Sequence, residues 1–185
     1  LTAYHDSGHA IVAAELPDHD RVYEISVIPR GLAGGYTMHL PDEDRFYRSK
    51  HEMEDEIVSL LGGRVAEMVA MDDISTGASN DLERATEIAR KMVTKYGMSE
   101  KLGPVVFGSE HDEVFLGRDF AQNRNYSEEI ASLIDEEIRS FVDRGMERAK
   151  EILTRKRALL DRVAQTLIEK EKISGEEFEA LCKEA

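Results

Sequence analysis

The sequence predicts a mainly α fold with a small β-hairpin or sheet and a C-terminal helical segment. Three observations carry that expectation. Apolar residues recur at helical spacing through most of the chain, Ser-x-x-Glu boxes mark two helix starts, and the clearest β signal is the stretch from Val22 to Leu40.

Taken in order, Ala3 to Glu15 reads as a helix with Ala10, Ile11, Ala13 and Ala14 on its apolar surface, ended by Pro17, which cannot continue the hydrogen-bond ladder. Val22 to Ile28 then turns to β-formers. Gly31, Gly34 and Gly35 make a loop before Tyr36-Thr37-Met38-His39-Leu40, so the two runs form a hairpin closed at Pro41. Ser49 and Glu52 form a capping box for a long helix to about Met71, with Met53, Ile57, Leu60, Leu61, Val65 and Met68 at helical spacing. Gly62-Gly63 inside it costs about 1 kcal/mol per glycine relative to alanine, which makes sense if another backbone packs closely there.

Asp72 to Ser79 is a polar turn, and a helix from about Asn80 to Tyr96 ends at Gly97, the place of a left-handed cap. Leu102 to Asn125 lacks a steady period and reads mostly as loop, with Pro104 to Phe107 as a possible short strand. Ser127 opens a long amphipathic helix through Ile152, a second helix carries Leu159 to Ile168, and Ser174 with Glu177 caps a final short one.

Composition excludes several functions. Thirty-eight acidic against 24 basic residues leave a net charge of −14, which repels phosphate backbones and anionic headgroups, so no nucleic-acid partner is expected. A single cysteine, Cys182, permits neither an internal disulfide nor a cysteine-rich zinc site, and points to a reducing compartment. No run approaches the roughly 18 apolar residues of a membrane span, and the start at Leu1, directly in a helix, is the pattern of an excised soluble fragment. The glycines at 31, 34 and 35 belong to no Gly-x-x-x-x-Gly-Lys-Ser/Thr phosphate loop, so an ATPase is excluded by that route.

His5-Asp6-Ser7-Gly8-His9 carries chemistry. Residues four apart on a helix differ by only about 40° in direction, so both imidazoles reach one ion. Spacing alone is weak evidence. The acidic residue after the first histidine adds weight, because a zinc peptidase keeps there the carboxylate that handles protons. A tetrahedral shell needs a third protein ligand, and two candidates stay open: Glu67, late in the long helix, and Asp81, in the first turn of the next. His19, His39, His51 and His111 stand at no ligand spacing and read as structural or exposed.

The chain resembles the FtsH family of AAA proteases over essentially its whole length. The resemblance rests on Thr2 to Ala10, Ile28-Pro29-Arg30-Gly31, Gly35-Tyr36-Thr37-Met38, Leu61-Gly62-Gly63-Arg64-Val65-Ala66-Glu67 and Ser75 to Thr86. It implies zinc held by His5, His9 and Asp81, with Glu67 as a partner of the ligands or a rival one, and a zinc metalloendopeptidase that degrades unfolded or membrane-extracted polypeptide. Residues 1–125 are then the zinc-binding peptidase core and 126–185 a helical scaffold packed on it, one domain overall. It also implies a homo-hexamer, an upstream AAA ATPase module absent from this chain, and a membrane-anchored full-length protein with this domain on the cytoplasmic or organelle-interior side.

Tyr36, Thr37 and Met38 are candidates for aligning substrate by strand pairing. One departure stands out: the family pattern has glutamate where Asp6, the expected catalytic residue, stands one methylene shorter. A catalytically impaired, zinc-binding oligomeric scaffold is the alternative reading.

Overall fold

The computed structural model describes residues 1–31, 34–41, 46–108 and 124–184. Among these residues six helices and one small sheet follow in the order α1 (Thr2–Glu15), β1 (Arg21–Ser26), β2 (Tyr36–Leu40), α2 (Lys50–Met71), a 3₁₀ turn (Thr76–Ala78), α3 (Ser79–Thr94), α4 (Glu128–Arg155), α5 (Arg157–Lys170), β3 (Lys172–Ser174) and α6 (Gly175–Lys183). The chain is mainly helical, as its periodicity predicts.

The sequence signals act where they are read. Ser49 and Ser174 each accept from the backbone three residues on, while Glu52 and Glu177 reach back, so both capping boxes are closed. Ser127 caps α4 through the Ile130 N–H. Gly97 takes φ +60° after α3, and a Cβ there would stand 2.7 Å from Pro104 Cα, so glycine serves both the left-handed turn and the close approach.

The sheet is antiparallel in the order β2-β1-β3. Ser26 faces Tyr36 and Arg21 faces Leu40, with a bulge at Tyr23 that shifts the register by one. On the other side Ile25 pairs with Ile173, both fully buried.

Three expectations need correction. Pro104 to Phe107 is not a strand: Pro104 has no N–H, Val105 N bonds back to the Gly103 carbonyl, and Phe107 N bonds to Thr94 O at the end of α3. Lys172–Ser174, unmarked in the sequence, is a strand. β1 stops at Ser26 rather than running to Ile28: Val27 N still bonds in register to the Glu171 carbonyl, but Ile28 N turns back to the Ser26 hydroxyl at 3.2 Å. The loop expected over Leu102 to Asn125 falls largely on residues 109–123, outside the described residues, and so does His111.

Two apolar clusters share the helices. One gathers α1, α5, β1, β3, α6, the C-terminal half of α4 and Val58, Val65 and Ala66 of α2. The other joins Met53, Ile57, Leu60 and Leu61 of α2 to Ala85, Ala89, Met92 and Val93 of α3 and to Ile134, Ile138 and Phe141 of α4. Helices α2 and α4 therefore run through both, pressed together at Gly145, whose Cβ would lie 2.9 Å from Ile57 Cγ2.

Helix α1 crosses α2 backbone to backbone. A Cβ on Gly8 would meet the Gly62 carbonyl oxygen at 2.4 Å, and one on Gly62 would meet the Gly8 carbonyl at 2.8 Å. This is the close contact that the Gly62-Gly63 pair predicts. Gly8→Ala should accordingly lower stability by about 3 kcal/mol, the upper range for overpacking a tight core. Gly34→Ala, whose Cβ would make only an ordinary 3.6 Å contact with Thr2, should change it by less than about 0.5 kcal/mol. Urea unfolding midpoints of the two variants at unchanged slope check both.

Candidate metal centre

The α1 turn stacks His5 over His9 with ring centroids 4.7 Å apart and planes at 75°. Their Nε2 atoms lie 3.0 Å apart, and each is 3.3 Å from Asp81 Oδ2, which enters from the first turn of α3. The far side of each ring is fixed by an acceptor. His9 Nδ1 donates to the Ser59 carbonyl at 2.8 Å, and His5 Nδ1 to Glu67 Oε1 at 2.8 Å. With protons held on both Nδ1 atoms, the Nε2 lone pairs converge on Asp81.

That triangle suits a metal. Bonds of about 2.0–2.1 Å in a tetrahedral shell place donors about 3.3–3.4 Å apart, close to the three separations here, and two imidazoles with a carboxylate form a donor set that zinc accepts. His5, His9 and Asp81 are also the one potential metal-holding trio among the described residues. Gly63 makes room for them: a Cβ on it would stand 2.5 Å from both His5 Nε2 and His9 Nε2.

Glu67 sits on the other side of His5. It is buried, and besides the imidazole it accepts from the Ser75 N–H at 2.7 Å and the Ser75 hydroxyl at 3.0 Å. Arg64 holds the Ser75 carbonyl at 3.2 Å. The carboxylate thus pins the α2–α3 connection to α2 and aims His5, a position from which it faces Nδ1 rather than the Nε2 triangle. Burial raises the Glu67 carboxyl, but the bonds from His5 and Ser75 outweigh it and hold it below the usual range. Asp81 is likewise raised by burial and lowered further by both imidazoles, ending well below an ordinary aspartate. Burial lowers His5, and the bonds to Asp81 and Glu67 more than reverse that.

Asp6 is 4% exposed, and its Oδ2 has no hydrogen-bond partner among the described residues. It lies against Gly35, where a Cβ would come within 2.2 Å of that oxygen. Burial pushes the carboxyl up to about 6, against the pull of His9 and His5 and with a further push from Asp81. Thr37 on β2 donates to the Asp6 carbonyl at 3.0 Å, tying the edge strand to α1.

A cleft of about 1040 Å³ joins these parts, lined by His5, Asp6, His9, Glu67 and Asp81 together with Tyr36, Thr37 and His39. Met38, between Thr37 and His39, is not among its lining residues. The outer edge of β2 has no strand partner among the described residues. Sequence reasoning missed Ser59 and Ser75, whose contributions are a carbonyl and a loop anchor with no spacing signature. It also missed that His19 and His39, far apart in sequence, come together, their centroids 4.7 Å apart.

The whole chain fits one known family. Peptidase family M41 matches residues 1–181. The chain belongs to that family. Among curated relatives, the ATP-dependent zinc metalloprotease FtsH of Caldicellulosiruptor bescii is 60% identical over 184 residues, covering 100% of this chain and 30% of the relative. FtsH 1 of a Thermoanaerobacter species is 61% identical over 179 residues, 97% of this chain and 29% of the relative. FtsH of Thermotoga maritima is 51% identical over 185 residues, 100% and 30%. This M41 chain therefore spans about 30% of the length of the relatives it matches. None of its described helices is long and apolar enough to cross a membrane.

The geometry separates Asp81 from Glu67. Asp81→Ala should abolish tight zinc binding, Glu67→Ala should weaken it by about 10 to 100-fold, and Gly63→Ala by about 100-fold or more through displacement of both rings. Competition with a chromogenic chelator, on variants whose helical circular dichroism is unchanged, measures all three. Full zinc affinity in Asp81→Ala would reassign the third ligand.

Proposed function

We propose that this M41 chain is the zinc metalloendopeptidase domain of an FtsH-type, ATP-dependent protease that cleaves unfolded or membrane-extracted polypeptide. The observation that carries the reading is the His5–His9–Asp81 triangle, with separations of 3.0, 3.3 and 3.3 Å and both Nδ1 atoms already held.

When bound, zinc supplies Lewis acidity that brings the pKa of a water to about 7 and polarises a carbonyl. The chain does the rest. His5, His9 and Asp81 hold the metal, Glu67 and the Ser59 carbonyl orient the rings, and the glycines keep the backbone out of the way. Asp6 Oδ2, buried and without a hydrogen-bond partner among the described residues, takes the proton of the attacking water and returns it to the leaving amine. Tyr36, Thr37 and Met38 on the free edge of β2 align an extended chain through main-chain hydrogen bonds, which gives affinity with little sequence preference.

Residues 1–125 carry these groups, and 126–185 are their helical scaffold. The relatives, named ATP-dependent and about three times longer, support an ATPase module outside this chain, which we place upstream; the homo-hexameric ring and the membrane anchor belong to the same proposal. A second reading, a zinc-holding scaffold that does not cleave, is favoured by one observation: Asp6 is short and lies against Gly35.

Zinc content measured together with cleavage of an unfolded test protein decides between them. One equivalent of zinc with cleavage is expected, and full zinc without cleavage would establish the scaffold. Asp6→Asn should keep the metal and lose at least about 100-fold in turnover. Asp6→Glu should raise turnover at unchanged zinc, because its carboxylate reaches further. An Asp6→Asn variant as fast as the parent would end the proposal for that residue.

A further inference from the structure

The cleft contains a second pair of histidines that the metal centre does not use. His19 lies in the connection between α1 and β1, and His39 lies on β2, next to the free edge of the sheet. Their rings meet edge to face at 4.7 Å and 71°.

Each ring has a nitrogen to spare. His19 Nδ1 donates to the Asp20 carbonyl at 2.9 Å, and since a carbonyl only accepts, the proton is on Nδ1 and the lone pair on Nε2. His39 Nδ1 is buried with no hydrogen-bond partner among the described residues. A buried polar atom without a partner is costly, and packing of the two rings alone does not account for it. Burial, helped by His19, His9 and Arg84 and opposed by the Asp20 backbone, pushes His39 down to about 4, so the ring is neutral at pH 7, the form that binds metals.

The surroundings favour a cation. Asp18, Asp20, Glu52 and Glu56 line the same cleft, and of its arginines both Arg48 and Arg84 are engaged with Glu56. Among the described residues no carboxylate completes a three-residue cluster with the two rings, so a metal here would have two protein donors from them and open positions.

We propose that His19 and His39 form a second, weaker site for a divalent transition metal, above all Zn²⁺, held by the lone-pair nitrogen of each ring. Imidazole pairs suit zinc, copper and nickel rather than magnesium or calcium. With only two protein donors, occupancy follows free metal instead of being permanent. An ion at this place stands beside β2 and close to His9, where it obstructs a chain laid along the edge strand. Excess zinc therefore inhibits. The binding claim is independent of the peptidase reading, whereas the inhibition rests on it.

The test takes the chain loaded with one equivalent of zinc and adds Zn²⁺, following binding by chelator competition and cleavage of an unfolded test protein. The wild type should take up a second, weaker equivalent and lose activity over the same range. His19→Ala and His39→Gln should each keep the first equivalent, which reports an intact fold, while the second weakens at least about 10-fold and the inhibition shifts with it. A wild type that binds only one equivalent overturns the proposal. So does a second equivalent of unchanged affinity in both variants, since the ion would then sit elsewhere. If no cleavage is seen at all but the variants lose the second equivalent, the site stands and the peptidase reading falls.

Discussion

The contact on which the rest depends is the crossing of α1 and α2 at Gly8 and Gly62, where two backbones touch with no side chain between them. Helices with side chains at the contact keep their axes about 8–10 Å apart. Removing both Cβ atoms lets α1 sink onto α2 until the next glycine, Gly63, lies under the imidazoles of His5 and His9. Only at that depth can Glu67, one turn further along α2, reach His5 Nδ1, and only then does the returning chain bring Asp81 to the two Nε2 atoms. The glycines lose helix propensity locally and gain the close approach that the centre requires.

Burial of polar groups follows from the same depth. Glu67, Asp6 and Ser59 are all withdrawn from water, which is tolerable for Glu67 because three donors converge on its two oxygens. Ser75 does double duty, giving Glu67 its N–H and hydroxyl while its own carbonyl takes Arg64. The α2–α3 connection is thus tied at several points before α3 begins, so the position of Asp81 is set by the loop and not by helix α3 alone.

Much of this was legible in the sequence because it rests on local chemistry. Capping serines, helical periods, the Gly62-Gly63 pair and the His5/His9 spacing are signals confined to a few neighbouring residues, and each appears in the fold where it was read. Asp81 could not be separated from Glu67 by local rules, since both are acidic residues on helices and only the crossing decides which nitrogen of His5 each one faces. Strand β3 was invisible because three residues with one buried apolar side chain, Ile173, carry no period; it exists because β1 offers an edge. Pro104 to Phe107 misled in the opposite sense, being β-rich in composition with no strand partner among the described residues and with Val105 and Val106 exposed. The meeting of His19 and His39 is a product of hairpin register and helix exit together, which no spacing rule encodes.

The outer edge of β2, without a strand partner among the described residues, has a further consequence. An unpaired strand edge is a template for any extended backbone, including that of another copy or a misfolded neighbour. Here the template is five residues long, ends at Pro41, and is backed by a partner strand that bulges at Tyr23. At about 3.3 Å per residue it offers a footprint of about 16 Å. A helix or an interior strand of a sheet cannot offer its backbone to that edge, because its own amides are already engaged. On the proposed peptidase reading, the shape of the edge would act as a filter on conformation, taking chains whose backbone groups are free.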